Sequence, residues 1–360
     1  MCLTRMGKRK LQLKDGEYIK RNILSIYYKH YDEGRTFPYY RFMGNMEFET
    51  LFQEKKIYFT NPIEWKKSLT GDKSENYLED WYTDRNNILK AYRLIKQHCI
   101  KTQKQYCTQQ YIMSVYSNFI GGAALMQQKS FCYCVADTYN ERKMMDEYHT
   151  KYKRNIIIIL KDSFFKKMSI LSDGRCVPDG TYLCADVMPM IYIESFDEFI
   201  NEYICKSQTL TEVAKNTFDY GGFLKDRNYW YEHETRIKLH MHIDNDYNFQ
   251  YLSREFYFKH FFVSDEEKIV NDSMIYIQNC KKTLDKGFEE VSDRIKEIGG
   301  KQSFELCLNE LEINEIVDGI LLHENATESE KNEVYKLARL RNVQVEEIDF
   351  DKVCAPQISV

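Results

Sequence analysis

A chain of 360 residues with 43% hydrophobic and 29% charged side chains can bury a substantial core, which excludes a disordered or low-complexity protein. The formal charge of −4 supplies no field that would draw it to nucleic acid or an anionic bilayer, and no apolar run has the length of a transmembrane helix or the form of a signal peptide. A soluble cytoplasmic protein is expected, with no membrane attachment and no nucleic-acid partner.

Aromatic content is high, with 28 Tyr, 21 Phe and 3 Trp, a composition suited to strands and cleft walls. The 11 cysteines run from Cys2 to Cys354 without paired C-x-x-C knuckles, and their number is odd. Reduced, buried thiols are expected, and no metal site: His240 and His242 share a strand face, but no second pair of ligands follows nearby.

In chain order, residues 1–36 are read as a segment that opens on the basic residues Arg5, Lys8, Arg9 and Lys10 and then forms a leading helix. Tyr39 to Met43 reads as a strand, Met46 to Gln53 as a short helix and Ile57 to Thr60 as a second strand, closed by Asn61 and Pro62 before a polar loop with Gly71. From Tyr77 the apolar stripe of Leu89, Tyr92, Leu94, Ile95 and Cys99 predicts a helical insertion near 77–120, ended by Gly121 and Gly122. Ser130 to Val135 returns to extended structure. Asn155 to Leu160, with its four isoleucines, predicts a strand covered on both faces, and another strand is expected near Met190 to Ile193.

Trp230 to His242 alternates, which places Trp230, Glu232, Glu234, Arg236, Lys238 and His240 on one face of a predicted strand. Asp265 to Ile298 reads as a helix before Gly299 and Gly300, giving a second insertion near 262–300. Thr327 and Glu330 form a capping box ahead of the last helix, and Val343 to Phe350 supplies the final strand. The fold class is α+β: a single mixed-sheet domain over residues 37–350, with helical insertions, a C-terminal strand-helix-strand unit and a tail at 351–360.

These segments, in this order, resemble the bacterial domain-of-unknown-function 2971 family. The resemblance rests on YRF at Tyr40 to Phe42, on IYFTNPIEW from Ile57 to Trp65, on FCYC around Cys132 followed by MMDEY from Met144 to Tyr148, and on WYEHETR from Trp230 to Arg236 preceded by Lys225. The chain departs from the family pattern at Lys66, Lys67 and Ser68, where an Asp-Pro turn is usual, at Cys134, where Ser is usual, and at Met145, where Trp is usual.

The layout is also similar, as a fold-level analogy, to that of ADP-ribosyltransferases. That analogy implies NAD as a substrate, bound with Arg41 on its phosphates. Glu234 would stabilise positive charge at the ribose as the glycosidic bond breaks, and Glu232 would orient or deprotonate an acceptor. Trp230 and Tyr40 would stack rings, while Ser130 or Cys134 braces the site and Lys225 and Arg236 bind anionic groups. Two other readings stand beside this one: an alternating solvated strand with paired charges, and a non-catalytic sensor or protein-interaction module on the same scaffold. Cys132 or Cys134 as a nucleophile would need a histidine such as His149 or His233 brought close by the fold.

Overall fold

A computed structural model describes residues 26–28, 38–61, 77–102, 108–126, 130–161, 163–164, 181–243, 249–295, 303–307 and 312–353. The expectations for the basic start, the loop holding Lys66, Lys67, Ser68 and Gly71, Lys129, Gly299, Gly300 and the end of the tail lie outside the described residues.

The strands are β1 (Ile26–Tyr28), β2 (Tyr39–Met43), β3 (Lys56–Thr60), β4 (Ser130–Ala136), β5 (Ile156–Leu160), β6 (Thr181–Pro189), β7 (Ile191–Ile193), β8 (Leu224–Asp226), β9 (Glu234–Ile243), β10 (Ser303–Cys307), β11 (Val317–His323) and β12 (Gln344–Ile348). Ten of them form one mixed sheet in the order β1-β6-β9-β4-β2-β5-β11-β12, with β3 and β10 as a side branch, and β7 and β8 form a small parallel ladder. The fork lies at β4. One edge of β4 pairs with β9 along its whole length; the other meets β2 at Tyr40–Ala136 and β3 at Thr60–Cys132.

The first described residues, 26–28, are extended, with β1 parallel to β6; the rest of the segment expected to hold a leading helix lies outside the described residues. β5 is buried on both faces, as its isoleucines demand. Ile156, Ile158 and Leu160 join a core with Phe48, Leu51 and Phe52 of helix α1 (Asn45–Glu54), whereas Ile157 faces Met144 and Met145 of a later helix. The closing unit forms as its capping box predicts: Thr327 and Glu330 bond each other's backbone amides, and β11 and β12 are parallel.

The helical layer has its own core. It contains α2 (Tyr77–Thr83), α3 (Arg85–Thr102) and α4 (Gln109–Leu125), together with the later α7 (Leu210–Asp219), α8 (Phe249–His260) and α9 (Glu266–Ile295). Between these groups come α5 (Arg142–Asp146), which continues into a π-helical turn at Glu147–Lys151, and α6 (Phe196–Phe199), which continues into another at Ile200–Ile204. After them come α10 (Ile313–Ile316), α11 (Glu328–Leu340) and α12 (Phe350–Val353). No described helix is long and apolar enough to cross a membrane.

Gly121 and Gly122 do not end the first insertion, since α4 continues through them to Leu125. The role of Gly122 is close approach: a Cβ there would stand 2.4 Å from the carbonyl oxygen of Ala214 and 2.7 Å from Cβ of Thr217 in α7. Gly122→Ala therefore forces α4 and α7 apart. A loss of about 1–3 kcal/mol is expected, read as a lower urea midpoint; a wild-type midpoint would show that the two helices have slack.

Candidate functional site

The alternation expected from Trp230 onward begins later. Arg227–Glu232 is a 3-10 turn, His233 takes a left-handed conformation at φ 44°, and β9 starts at Glu234. Glu232 and Glu234 are consequently not spaced along one strand. The sharp backbone turn at His233 brings both carboxylates onto one ammonium: Nζ of Lys225, in β8, donates to Oε2 of Glu232 at 2.6 Å and to Oε2 of Glu234 at 3.1 Å.

Arg236 completes the group. Its Nε and Nη2 reach Oε1 of Glu234 at 2.8 and 2.7 Å, and its Nη1 donates to the carbonyl of Gly222 at 2.8 Å. The Cys134 thiol donates to Glu234 as well, from the neighbouring strand position. All four ionic side chains are buried, Arg236 completely. Burial alone would raise the pKa of Glu234, but Arg236 and Lys225 outweigh it and hold the carboxyl well below its ordinary range. Lys238, also buried, points past the cluster to the carbonyl of Gly221 at 2.6 Å and lies over the rings of Phe218 and Phe223.

Strand alternation decides which of the other expected residues join. Tyr40, Ala136 and Glu234 lie in one row across β2, β4 and β9, so Tyr40 shares the face of Glu234. Arg41, the next residue, faces the other way. Its guanidinium sits 4.5 Å from the centroid of the Tyr133 ring and is held by Glu47, with Nε 2.9 Å from Oε1, and by the Cys134 carbonyl at 2.6 Å. Arg41 and the acids are thus separated by the sheet, and Arg41 is a structural ion-pair residue. Its assignment to NAD phosphates is corrected on this ground.

Ser130 pairs with His240 at the far end of β4, six residues from Ala136 and so roughly 20 Å along the strand. It cannot brace Glu234, whereas Cys134 does. Trp230 is 52% exposed and packs edge-on against His233 at 5.6 Å, outside the ionic cluster. His233 lies beside Asp137, and His149 stacks on His323, so each ring has a partner other than a cysteine thiol. The side chains of His240 and His242 lie outside the described residues. Among the described residues no three metal-ligating side chains cluster.

The face of Glu234 carries Tyr40 and, beside it, tyrosines that the strand pattern did not single out. Tyr40 packs on Tyr139 at 4.7 Å. Tyr148, on the π-helical turn, stacks on Phe42 at 4.6 Å and feels the charges of Glu232, Lys225 and Glu234. Tyr229 lies over Lys225 at 5.2 Å, Tyr231 donates to Glu147 at 2.9 Å, and Tyr192 in β7 accepts the backbone N–H of Glu234 at 3.0 Å. Burial, with the nearby carboxylates, raises the pKa of Tyr148, so its hydroxyl stays protonated and can donate. Tyr148 was present in the sequence as the end of MMDEY; the insertion of its ring beside the acids needs the π-helical turn, which periodicity does not announce.

Compared with protein-family models, curated proteins and solved structures, the chain matches none. The arrangement is read from its own chemistry: two buried carboxylates on a shared ammonium, Glu234 held ionised, beside a half-buried group of tyrosines.

Lys225→Met removes the cation common to both acids. A loss of about 3–5 kcal/mol at neutral pH is expected, measured by urea denaturation. The pH dependence has a defined sign: stability contributed by the depressed Glu234 is present above its ordinary value of 4.5 and is lost as pH falls. Without Lys225 the carboxyl is less depressed, so that loss is smaller and is complete at a higher pH, and superimposable pH–stability curves for variant and wild type would sink the assignment.

Proposed function

We propose that the chain is a divergent relative of the domain-of-unknown-function 2971 family and that the Glu234 face handles NAD, releasing nicotinamide and passing ADP-ribose to water or another acceptor. The observation that carries this reading is Glu234 itself: a buried carboxylate kept ionised by Arg236 and Lys225, on a face crowded with tyrosine rings. Buried ion networks of this kind give little net stability, because desolvation offsets their mutual attraction. Such clusters occur where chemistry needs a charge in a dry place.

The nicotinamide ring of NAD is flat and cationic, and tyrosine faces together with carboxylates suit such a ring. As the bond between nicotinamide and ribose breaks, positive charge develops on the sugar, and the Glu234 carboxylate stabilises it without having to be assembled at that moment. Glu232 then accepts the proton of the attacking hydroxyl or water. The reading uses Tyr40, Cys134, Lys225 and Arg236 as expected from the sequence and does not use Arg41 or Ser130.

A second reading, a non-catalytic sensor or interaction module, draws on a specific observation: both oxygens of Glu234 already meet a cation. The two readings separate in one assay. Purified protein incubated with NAD releases nicotinamide on the first reading, and Glu234→Gln slows that release by about 100- to 1000-fold. Thermal stabilisation by NAD without release of nicotinamide supports the sensor, and equal release from both proteins removes Glu234 from the chemistry.

A further inference from the structure

The π-helical turn that carries Tyr148 is pinned on its far side by groups the proposed reaction does not use. His149, in that turn, lies face to face with His323 at the end of β11, with ring centroids 3.6 Å apart and planes 16° apart. Neighbours fix what each ring can do. The amide of Asn325 donates to Nδ1 of His323 at 3.0 Å, so that nitrogen carries a lone pair and the ring is neutral. Nδ2 of Asn155 points at both oxygens of Glu330, 3.2 Å from each, leaving Oδ1 to accept from Nδ1 of His149 at 2.6 Å.

The pair therefore joins the turn to β5, to β11 and to the start of α11. Charged groups on the elements around it are Glu147 and Lys151 on the turn, Lys153 and Arg154 after it, Glu324 after β11, Glu328, Glu330 and Lys331 on α11, and Glu347, Asp349 and Lys352 at and beyond β12. Lys331 is paired with Glu347 and Lys352 with Asp349, and Arg154 lies over the rings of Tyr148 and Tyr152. Glu330 is the acid bonded into the network.

We propose that the His149–His323 stack is an acid-release clasp on the Glu234 site: a proton taken from solvent at Nδ1 of His323 turns an acceptor into a donor facing the Asn325 amide, sets a cation against the His149 ring, and frees the Glu147–Lys151 turn, which withdraws Tyr148 from the two carboxylates. The inference rests on reading the Glu234 cluster as a functional site and names its regulation. Its test does not depend on that reading.

Hydrogen exchange of the 147–152 segment is followed by mass spectrometry on the ligand-free full chain, at intrinsic exchange rates matched across pH. Burial, and then the neighbouring His149, push His323 down to about 4. The segment is expected to open as pH falls toward that value, while α11 stays protected. His323→Gln, whose side-chain oxygen can accept from Asn325 and does not titrate in this range, loses the opening. His149→Phe keeps a flat ring without a charge, removes the like-charge repulsion and moves the midpoint to higher pH. Should His323→Gln fail to fold, the direction of the His149→Phe shift decides. An identical opening in His323→Gln, an unmoved midpoint in His149→Phe, or wild-type protein that opens this segment only on global unfolding overturns the clasp. A protein that opens as described yet never releases nicotinamide keeps the clasp and loses only the NAD reading.

Discussion

One ammonium held by two carboxylates organises this part of the molecule. Lys225 sits where water is excluded, and neither acid could remain ionised there without a cation in contact. Because both carboxylates share the same Nζ, the positions of β8, the 3-10 turn and β9 are set relative to one another by a single atom. Arg236 takes the remaining oxygen of Glu234 and ties it to Gly222, so the group is closed by geometry as well as by charge.

The sheet contributes by parity. β4 stands between β9 and β2, and its alternate residues divide the functions of its two faces. Phe131, Tyr133 and Val135 join the apolar core with Ile237, Ile158 and Met43, whereas Cys134 and Ala136 line the side of the acids. The dry core on one side is what allows a charged side chain to be held rigidly on the other, since the strand that bears it cannot shift without disturbing close-packed neighbours.

Much of the framework could be read from residues alone. The isoleucine run of β5 and the Thr327–Glu330 cap are local signals, and local physics decides them. Arg41 is a different case: period-2 alternation already forbids Tyr40 and Arg41 from facing the same way, so an expectation that used both contained its own contradiction. The strand start at Glu234 was hidden because Trp230 to Glu232 alternates as well as a strand does, and only the left-handed His233 breaks it. Gly122 carries no mark that separates a helix stop from a helix–helix contact until α7 is placed against it. The stacking of His149 on His323 joins residues far apart in the chain, and nothing in either neighbourhood points to the other.

The β4 fork has a topological consequence. The first helical excursion leaves the sheet at Thr60 and returns at Ser130; the second leaves after β9 and returns at Ser303. Thr60 is paired with Cys132 and with Ser303, and Ser130 with His240, so these four chain passages crowd into one corner of the sheet. A further excursion, from Ile193 to Leu224, returns elsewhere, on the β7–β8 ladder. The helical layer is sewn to the sheet at that corner and at the β7–β8 ladder, and Leu224, where the excursion from Ile193 returns, is followed directly by Lys225.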